Sequence, residues 1–257
     1  MPPAAQFAWP AAGSYYYLDK AGPADLAWEW LRRDPEYQRF AHDPSIWAGN
    51  GLNIFQAASA DCTARWGCLT QPDPRLNFAD APVLWSAAVD PSVLRVLAMR
   101  SNEAGVRFDL RDSRVPMAFV RGGDCEHVLL GRGGAAVRLD VVAGSLLDGP
   151  VSLAHDLALA DEPAMAALRR FLHLCRDGVL PVYRPPANQR FKRQAVILRV
   201  ADALAQGASI RGIGIMLYGP ERVGDEWSDE ALKSQCRRLI AEARSMARAG
   251  YRSLLQS

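Results

Sequence analysis

The chain has few histidines, no cysteine pair at metal or redox spacing, and no apolar run long enough to cross a membrane. Its four histidines are His42, His127, His155 and His173. None stands in H-E-x-x-H, the spacing that puts two imidazoles on one helical face around zinc. His173 and Cys175 are offset by two residues, which sends them to different sides of a helix. The five cysteines, Cys62, Cys68, Cys125, Cys175 and Cys236, are odd in number and none forms C-x-x-C. That pattern fits free thiols in a reducing compartment and argues against a disulfide framework. G-x-S-x-G and the Walker A loop are absent. His42-Asp43 and His155-Asp156 are sequence neighbours, a poor placing for an acid–base dyad, and His127 leads into an apolar run as a strand residue would. Nucleophilic catalysis needs a nucleophile, a base and an orienting acid, and the spacing singles out no such set. Gly212-Ile213-Gly214 sits in an apolar helical pattern, and Gly131-Arg132-Gly133-Gly134 reads as a hairpin tip. Neither has the strand–loop–helix setting of a phosphate loop. The expectation is a non-enzyme with no cofactor, no metal and no catalytic residue.

No stretch reaches the ~18 apolar residues of a membrane span, so no membrane partner is expected. Residues 1–13 have neither the basic start nor the apolar core of a signal peptide. Their Ala and Pro content reads as a disordered leader. A cytoplasmic protein is expected. The net charge is only +2, so any pull on nucleic acid must come from a local patch. Apolar residues make up 49% of the chain, ample for a core.

The small net charge hides an uneven distribution. Residues 188–257 carry twelve basic and seven acidic side chains, whereas the rest carries 18 and 21. This basic region holds helical patterns separated by turns. Lys192 to Gln206 forms one helix, stopped by Gly207. Ser209 caps a short second segment from Ile210 to Tyr218, which Gly219-Pro220 breaks. A long third helix follows Trp227, with Ser228 as N-cap, Asp229 and Glu230 in its first turn, and Gly250 just beyond Ala249 as terminator. At about 100° per residue, Leu232, Cys236, Leu239, Ile240, Ala243, Met246 and Ala247 share one face of it. Lys233, Arg237, Arg244 and Arg248 share nearly the opposite face, flanked by Ser234 and Arg238. A solvated surface helix is the plain alternative. Three helices with a short middle one also fit a helix-turn-helix or winged-helix-like module, and a basic stripe is the footprint such a module needs.

Upstream, residues 14–100 read as a small helical module. Gly22-Pro23 starts a helix with Ala27, Trp30 and Leu31 inward and Trp28 nearer the surface. Asp34-Pro35 ends it, and a second helix follows to Ala41. Trp47, Phe55, Trp66, Phe78 and Trp85 then punctuate loop-rich sequence. Residues 105–186 read as β-rich. Val106–Leu110, Met117–Val120, His127–Leu130 and Ala136–Val142 are short strand patterns, with turns at Gly122-Gly123-Asp124 and Arg132-Gly133-Gly134. One helix opens at Asp161-Glu162-Pro163, with Met165, Leu168, Phe171, Leu172 and Cys175 inward, and ends at Gly178. Pro181–Pro186 is a linker candidate. The fold class is therefore α+β: a helical N-terminal module, a small antiparallel β-rich middle and a C-terminal helix-turn-helix-like module over 188–257.

Two stretches carry a family likeness. Tyr17-Leu18, the run Leu26-Ala27-Trp28-Glu29-Trp30-Leu31-Arg32-Arg33-Asp34-Pro35-Glu36-Tyr37, Arg65-Trp66-Gly67 and Ala81-Pro82-Val83-Leu84-Trp85 resemble the proteobacterial transcriptional regulator-like N-terminal domain. The second stretch runs from Gly207-Ala208-Ser209-Ile210-Arg211 through Leu217 to Val223, Glu226-Trp227 and Arg237 to Ile240. It closes on Gly250-Tyr251-Arg252-Ser253-Leu254-Leu255. It resembles a helix-turn-helix variant domain, formerly of unknown function, in regulators of integrative and conjugative elements, of the FseA activator and QseM antiactivator types. The resemblance implies a DNA-binding transcriptional activator of excision or transfer genes. Double-stranded DNA is the implied partner, with RNA polymerase and a small antiactivator or related regulator beside it. The alternative is an antiactivator of the same fold that sequesters a related activator. Ser209, Arg211, Lys233, Ser234, Arg237, Arg238 and Arg244 are the candidate DNA-binding residues. One departure stands out: Gly212 and Gly214 follow Arg211, where family members have an acidic residue and good helix formers. Each costs about 1 kcal/mol relative to Ala in a helix, so the segment is either weak or packed closely against a neighbour.

Overall fold

The computed structural model describes residues 11–41, 45–48, 52–98, 105, 108, 114–122, 125–147, 150–154, 156, 161–184 and 189–256. Most of the strand pattern at Val106–Leu110, the turn residues Gly123 and Asp124, the pair His42-Asp43, His155, Pro185-Pro186 and most of the 1–13 leader lie outside them. The chain divides into two compact units. A sheet unit comprises Lys20–Pro185 with Tyr251–Ser257, and a helical unit comprises Met1–Asp19 with Pro186–Gly250.

Among its described residues the sheet unit has seven strands: β1 (Ser45–Ala48), β2 (Leu52–Phe55), β3 (Leu94–Ala98), β4 (Met117–Arg121), β5 (Glu126–Leu130), β6 (Val137–Gly144) and β7 (Val151–Leu153). Their order is β1-β2-β4-β5-β6-β3-β7. The expected meander is β4–β5–β6, antiparallel throughout. Two further pairings are parallel, β2 with β4 and β3 with β6. They join segments far apart in sequence, so no turn chemistry announces them. Alternation on the strands gives the sheet two apolar faces. Val128, Leu130, Leu139 and Val141 lie in one buried cluster with Phe171 and Leu174. Ala118, Val120 and Leu129 lie in another, with Phe55, Leu84 and Ala136.

Helix α4 (Glu162–Asp177) covers the first face. Asp161 caps it, and Gly178 at φ 72° ends it. Its inward face is the expected one at Phe171, Leu168 and Cys175, which join or pack against the core cluster, and departs from it at Met165 and Leu172. Ala164, Ala167, Phe171 and Leu174 are buried, while Met165 and Leu172 are exposed. Two alanines let the helix approach the strands closely, and that rotates the bulkier residues outward.

Helix α1 (Pro23–Leu31) is buried from Asp25 to Leu31. The expected surface position of Trp28 is therefore wrong: Trp28 is 0% exposed and Trp30 only 3%. The loop that follows α3 (Ala60–Trp66) reaches α1 from the other side, and Leu76 O accepts from Trp28 Nε1 at 3.1 Å. Helix α2 (Pro35–Phe40), capped by Asp34, brings Tyr37 edge-on to both Trp28 and Trp66. A helix buried all round shows no single apolar stripe, which is why spacing misassigned the face. Glu29 is also fully buried. Its carboxylate accepts from Arg32 Nε at 2.6 Å, Arg33 Nη1 at 2.8 Å and the Phe78 backbone N–H at 3.0 Å, as a buried charge requires. The closing segment α9 (Arg252–Leu255) lies against α1, with Tyr251, Leu254 and Leu255 buried. Tyr251 also faces Trp85 across 6.3 Å and donates to Trp66 O.

The helical unit contains α5 (Gln189–Ala205), α6 (Ile210–Tyr218), α7 (Pro220–Glu226) and α8 (Glu230–Ser245). Gly207 at φ 84° ends α5. Helix α7 is an addition to the expected three helices. Gly219 at φ 89° turns the chain and Pro220 starts α7 at once, since Pro fits the first helical turn. A 3-10 segment at Ala12–Lys20 supplies Tyr15, whose hydroxyl donates to Asp202 Oδ2 at 2.5 Å.

Candidate nucleic-acid interface

Helix α8 begins one residue later than expected. Asp229, not Ser228, is the N-cap residue, and it makes no side-chain cap. The regular helix also ends earlier, at Ser245, and Met246–Gly250 forms a wider turn. The left-handed residue there is Ala249 at φ 72°, not Gly250. Gly250 is needed for another reason: a Cβ on it would lie 2.6 Å from Ser245 O.

The apolar face of α8 is as the spacing implies over its length. Leu232, Cys236, Ile240, Ala243 and Met246 are buried, whereas Ala247, past the helix end, is exposed. Burial raises the Cys236 thiol above its ordinary value, so this thiol serves packing. The opposite face carries Arg237, Arg238, Arg244 and Arg248, all exposed, with Lys233 and Ser234 half-buried. Glu230 sits on the same stripe. Its carboxylate pairs with Arg237 and stands 3.7 Å from Lys233 Nζ. The hydrogen bond from Arg237 is the main reason its carboxyl is held below the usual range. Exposed pairs of this kind contribute little to stability. Their effect here is to hold two basic side chains beside an acid that a phosphate would have to displace. Position tells the same story, since Glu230 is three residues before Lys233 and seven before Arg237. The stripe assembled from the sequence left it out.

Arg244 and Arg248 border a separate shallow concavity with Ala241, Ser245, Ala249 and Gly250. Ser209 and Arg211 are at the start of α6. The Ser209 hydroxyl accepts from the Gly212 backbone N–H at 3.0 Å and so caps the helix. Arg211 is exposed. The described side chains thus form two basic groups along α8 and a third site at the start of α6.

The unit's packing explains Gly214, one of the two glycines that depart from the family pattern. Gly214 is buried. A Cβ on it would meet Trp227 Cζ3 at 2.9 Å, Val223 Cγ2 at 3.4 Å and Cys236 Sγ at 3.6 Å. Helix α6 therefore packs its bare backbone at Gly214 directly on the side chains of Val223, Trp227 and Cys236, and glycine is the residue that permits it. Arg193 of α5 ties to Glu242 of α8 at 2.6 Å, fixing α8 from the other side. Helix α7 carries Glu221, Asp225 and Glu226 against Arg222 alone, so it offers phosphate no attraction. Among the described residues no cluster of His, Cys, Asp and Glu could hold a metal ion, and no helix is long and apolar enough to cross a membrane.

Residues 8–68 match the family described as the proteobacterial transcriptional regulator-like domain. Residues 153–256 match the family described as the DNA-binding domain of a T6SS transcription factor. No curated protein matches the chain. Both matched families are regulatory and neither is enzymatic. The second match takes in α4 and α9 of the sheet unit as well as α5 to α8.

Proposed function

We propose that this two-domain DNA-binding regulator activates transcription of excision or transfer genes of a mobile genetic element, and that α8 enters the major groove in helix-turn-helix fashion. The observation that carries the reading is the outer face of α8. Its N-terminal half presents Lys233, Ser234, Arg237 and Arg238 opposite the buried Leu232, Cys236 and Ile240, inside the segment that matches a DNA-binding domain. One side of the helix is fixed in the core and the other is free to meet a duplex. In this arrangement Arg237 is the base reader, through a bidentate pair with guanine. Lys233 and Arg238 meet phosphates. Arg244 and Arg248 lie two or more turns further along, at 5.4 Å per turn, and meet the flanking backbone. Ser209 and Arg211 hold a phosphate at the start of α6. RNA polymerase is the activation partner.

The test is a gel-shift titration of the purified protein against its own upstream DNA at two salt concentrations. Arg237→Ala lowers both affinity and sequence preference, the latter by about 1–3 kcal/mol. Lys233→Ala weakens binding on every sequence and reduces the slope of log K against log salt by about 0.9. Glu230→Gln strengthens binding, because it removes the acid that competes with phosphate for both side chains. Specific binding that survives the double substitution Lys233→Ala, Arg237→Ala unchanged moves recognition to Ser209 and Arg211. A parent protein that fails to bind DNA even at low salt replaces the activator reading with that of an antiactivator acting by protein capture.

A further inference from the structure

The sheet unit holds a set of side chains that regulation of DNA does not use. At the β4–β5 hairpin, Cys125 Sγ lies 3.4 Å from His127 Nε2. The other ring nitrogen, His127 Nδ1, lies 2.6 Å from Asp140 Oδ1. His127 and Asp140 are directly opposed on the neighbouring strands β5 and β6, so the sheet register itself holds the carboxylate against the ring. Gly122 lies close against the ring: a Cβ there would stand 3.1 Å from Cys125 O and 3.3 Å from His127 Nε2. The side chains of His127 and Asp140 are 16% and 14% exposed, and Cys125 is half-buried. The thiol is thus reachable by a small solute while the base behind it is held in place.

We propose that Cys125, His127 and Asp140 form a nucleophilic thiol centre that reacts with hydroperoxides. The geometry sets each role. Asp140 accepts the Nδ1–H, which leaves Nε2 as the lone-pair nitrogen facing sulfur. Nε2 takes the thiol proton, and the imidazolium so formed is stabilised by the Asp140 carboxylate. The thiolate attacks the terminal oxygen of a hydroperoxide ROOH. An S–O bond forms, the O–O bond breaks, and RO⁻ leaves with the proton from Nε2–H. The balance is Cys–SH + ROOH → Cys–SOH + ROH. Sulfur is oxidised by two electrons and the peroxide bond is reduced by two. An ordinary thiol, with a pKa of about 8.5, is only a few per cent thiolate at neutral pH. A base held against it raises that fraction.

The other cysteines are internal controls. Burial raises Cys68 and Cys236 above their ordinary values and pushes Cys175 up to about 11, so all three are slow nucleophiles. Cys62 is half-buried in the first turn of α3, where its backbone N–H donates to Ser59 Oγ at 3.2 Å, and it serves as the reference thiol. Its register neighbours give the centre a defined charge setting: Arg95 on β3 opposes Asp140, and Glu126 is turned to Arg121 and Ser145.

The experiment exposes the full chain to hydrogen peroxide, traps sulfenic acid with dimedone and reads each cysteine by mass spectrometry across pH 5–10. Cys125 is expected to be trapped on the order of ten-fold faster than Cys62 at pH 7, with a pH inflection below that of an ordinary thiol. His127→Gln and Asp140→Asn should each bring Cys125 down to the Cys62 rate, with the circular-dichroism spectrum unchanged. Asn at 140 turns an amide N–H toward Nδ1 and so forces the proton onto Nε2, which then cannot accept from sulfur. Should a variant fail to fold, the parent pH profile still decides. A Cys125 rate equal to that of Cys62, or an inflection at the ordinary thiol value, overturns the proposal.

Discussion

In the sheet unit, Asp25, Glu29, Asp90 and Arg138 are buried; among the described residues of the helical unit no charged side chain is, and the buried polar one is Gln194. The first unit uses charge internally. Glu29 is matched by two arginines and a backbone N–H. Asp90 Oδ2 and Arg138 Nε, 3.7 Å apart, are paired only by charge. The second unit keeps its charges at the surface, where a ligand can exchange them for phosphate. Burial thus separates an arginine held against an internal carboxylate, such as Arg138, from the exposed arginines of α8, the ones proposed for recognition.

The comparison breaks most visibly at the closing segment. A chain ending at Gly250 lacks Tyr251, Leu254 and Leu255, which are 2%, 1% and 3% exposed in the sheet unit. Each buried side chain is worth about 1.5–3 kcal/mol, so the sheet unit should lose more than about 5 kcal/mol in urea denaturation. The helical unit should keep its helices. A truncated protein as stable as the parent would show that the tail is not part of the sheet unit's core. Next in size is Trp28→Ala, expected to cost about 3–5 kcal/mol, as other buried aromatic truncations do. Trp30→Ala should cost a similar amount. A loss under about 1 kcal/mol at Trp28 would return that side chain to the surface.

Asp25 sharpens the comparison through pH. Burial pushes its carboxyl up to about 7, against the lowering effect of the hydrogen bond from Gly22 N–H. In the unfolded chain it ionises near its ordinary value of 3.8. Between those values the folded state holds a proton that the unfolded state has released. The stability contributed by Asp25 is therefore fully present below about pH 4 and is lost as pH rises to about 7, by up to about 1.4 kcal/mol per unit. Asp25→Asn should flatten that slope in denaturation curves taken from pH 4 to 8, and at pH 8 should be the more stable protein. An unchanged slope would mean that Asp25 is ionised in the fold. The smallest effects belong to two glycines of the helical unit. Gly214→Ala forces a Cβ against Trp227 and should cost about 1–3 kcal/mol. Gly224→Ala meets nothing within 4 Å and should gain about 0.5–1 kcal/mol. Equal thermal midpoints for the two would remove the close-packing explanation.

Local signals were the legible ones. The stop at Asp34-Pro35, the helix start at Asp161, the cap at Ser209, the terminator Gly178 and the meander strands follow from residue type and short spacing. The buried stripe of α8 and the exposed arginines opposite it were equally plain. What could not be read were pairings across long separations. Leu52 opposes Met117, and Leu94 opposes Leu139, through parallel ladders that leave no hairpin signature. His127 meets Asp140 through strand register, which adjacency in sequence does not reveal. On α4, Phe171, Leu168 and Cys175 were legible as inward, whereas Met165 and Leu172 were misplaced because Ala164 and Ala167 take the positions nearest the sheet. Trp28 was missed because its second neighbour, the loop at Leu76, lies 48 residues away.

The interlaced composition of the two units has a bearing on how the protein is made. Tyr251 to Leu255 complete a core whose other members, from Leu26 to Phe171, leave the ribosome long before them. At ~5–20 residues per second, the stretch from Pro186 to Gly250 occupies several seconds of synthesis. During that interval α1 and Trp66 wait with an uncovered apolar flank. The helical unit has the reverse timing. Tyr15 is made long before Asp202 of α5, to which its hydroxyl donates. Each unit thus combines segments made far apart in time, and a translation product interrupted between Pro186 and Leu255 is left without a finished sheet unit.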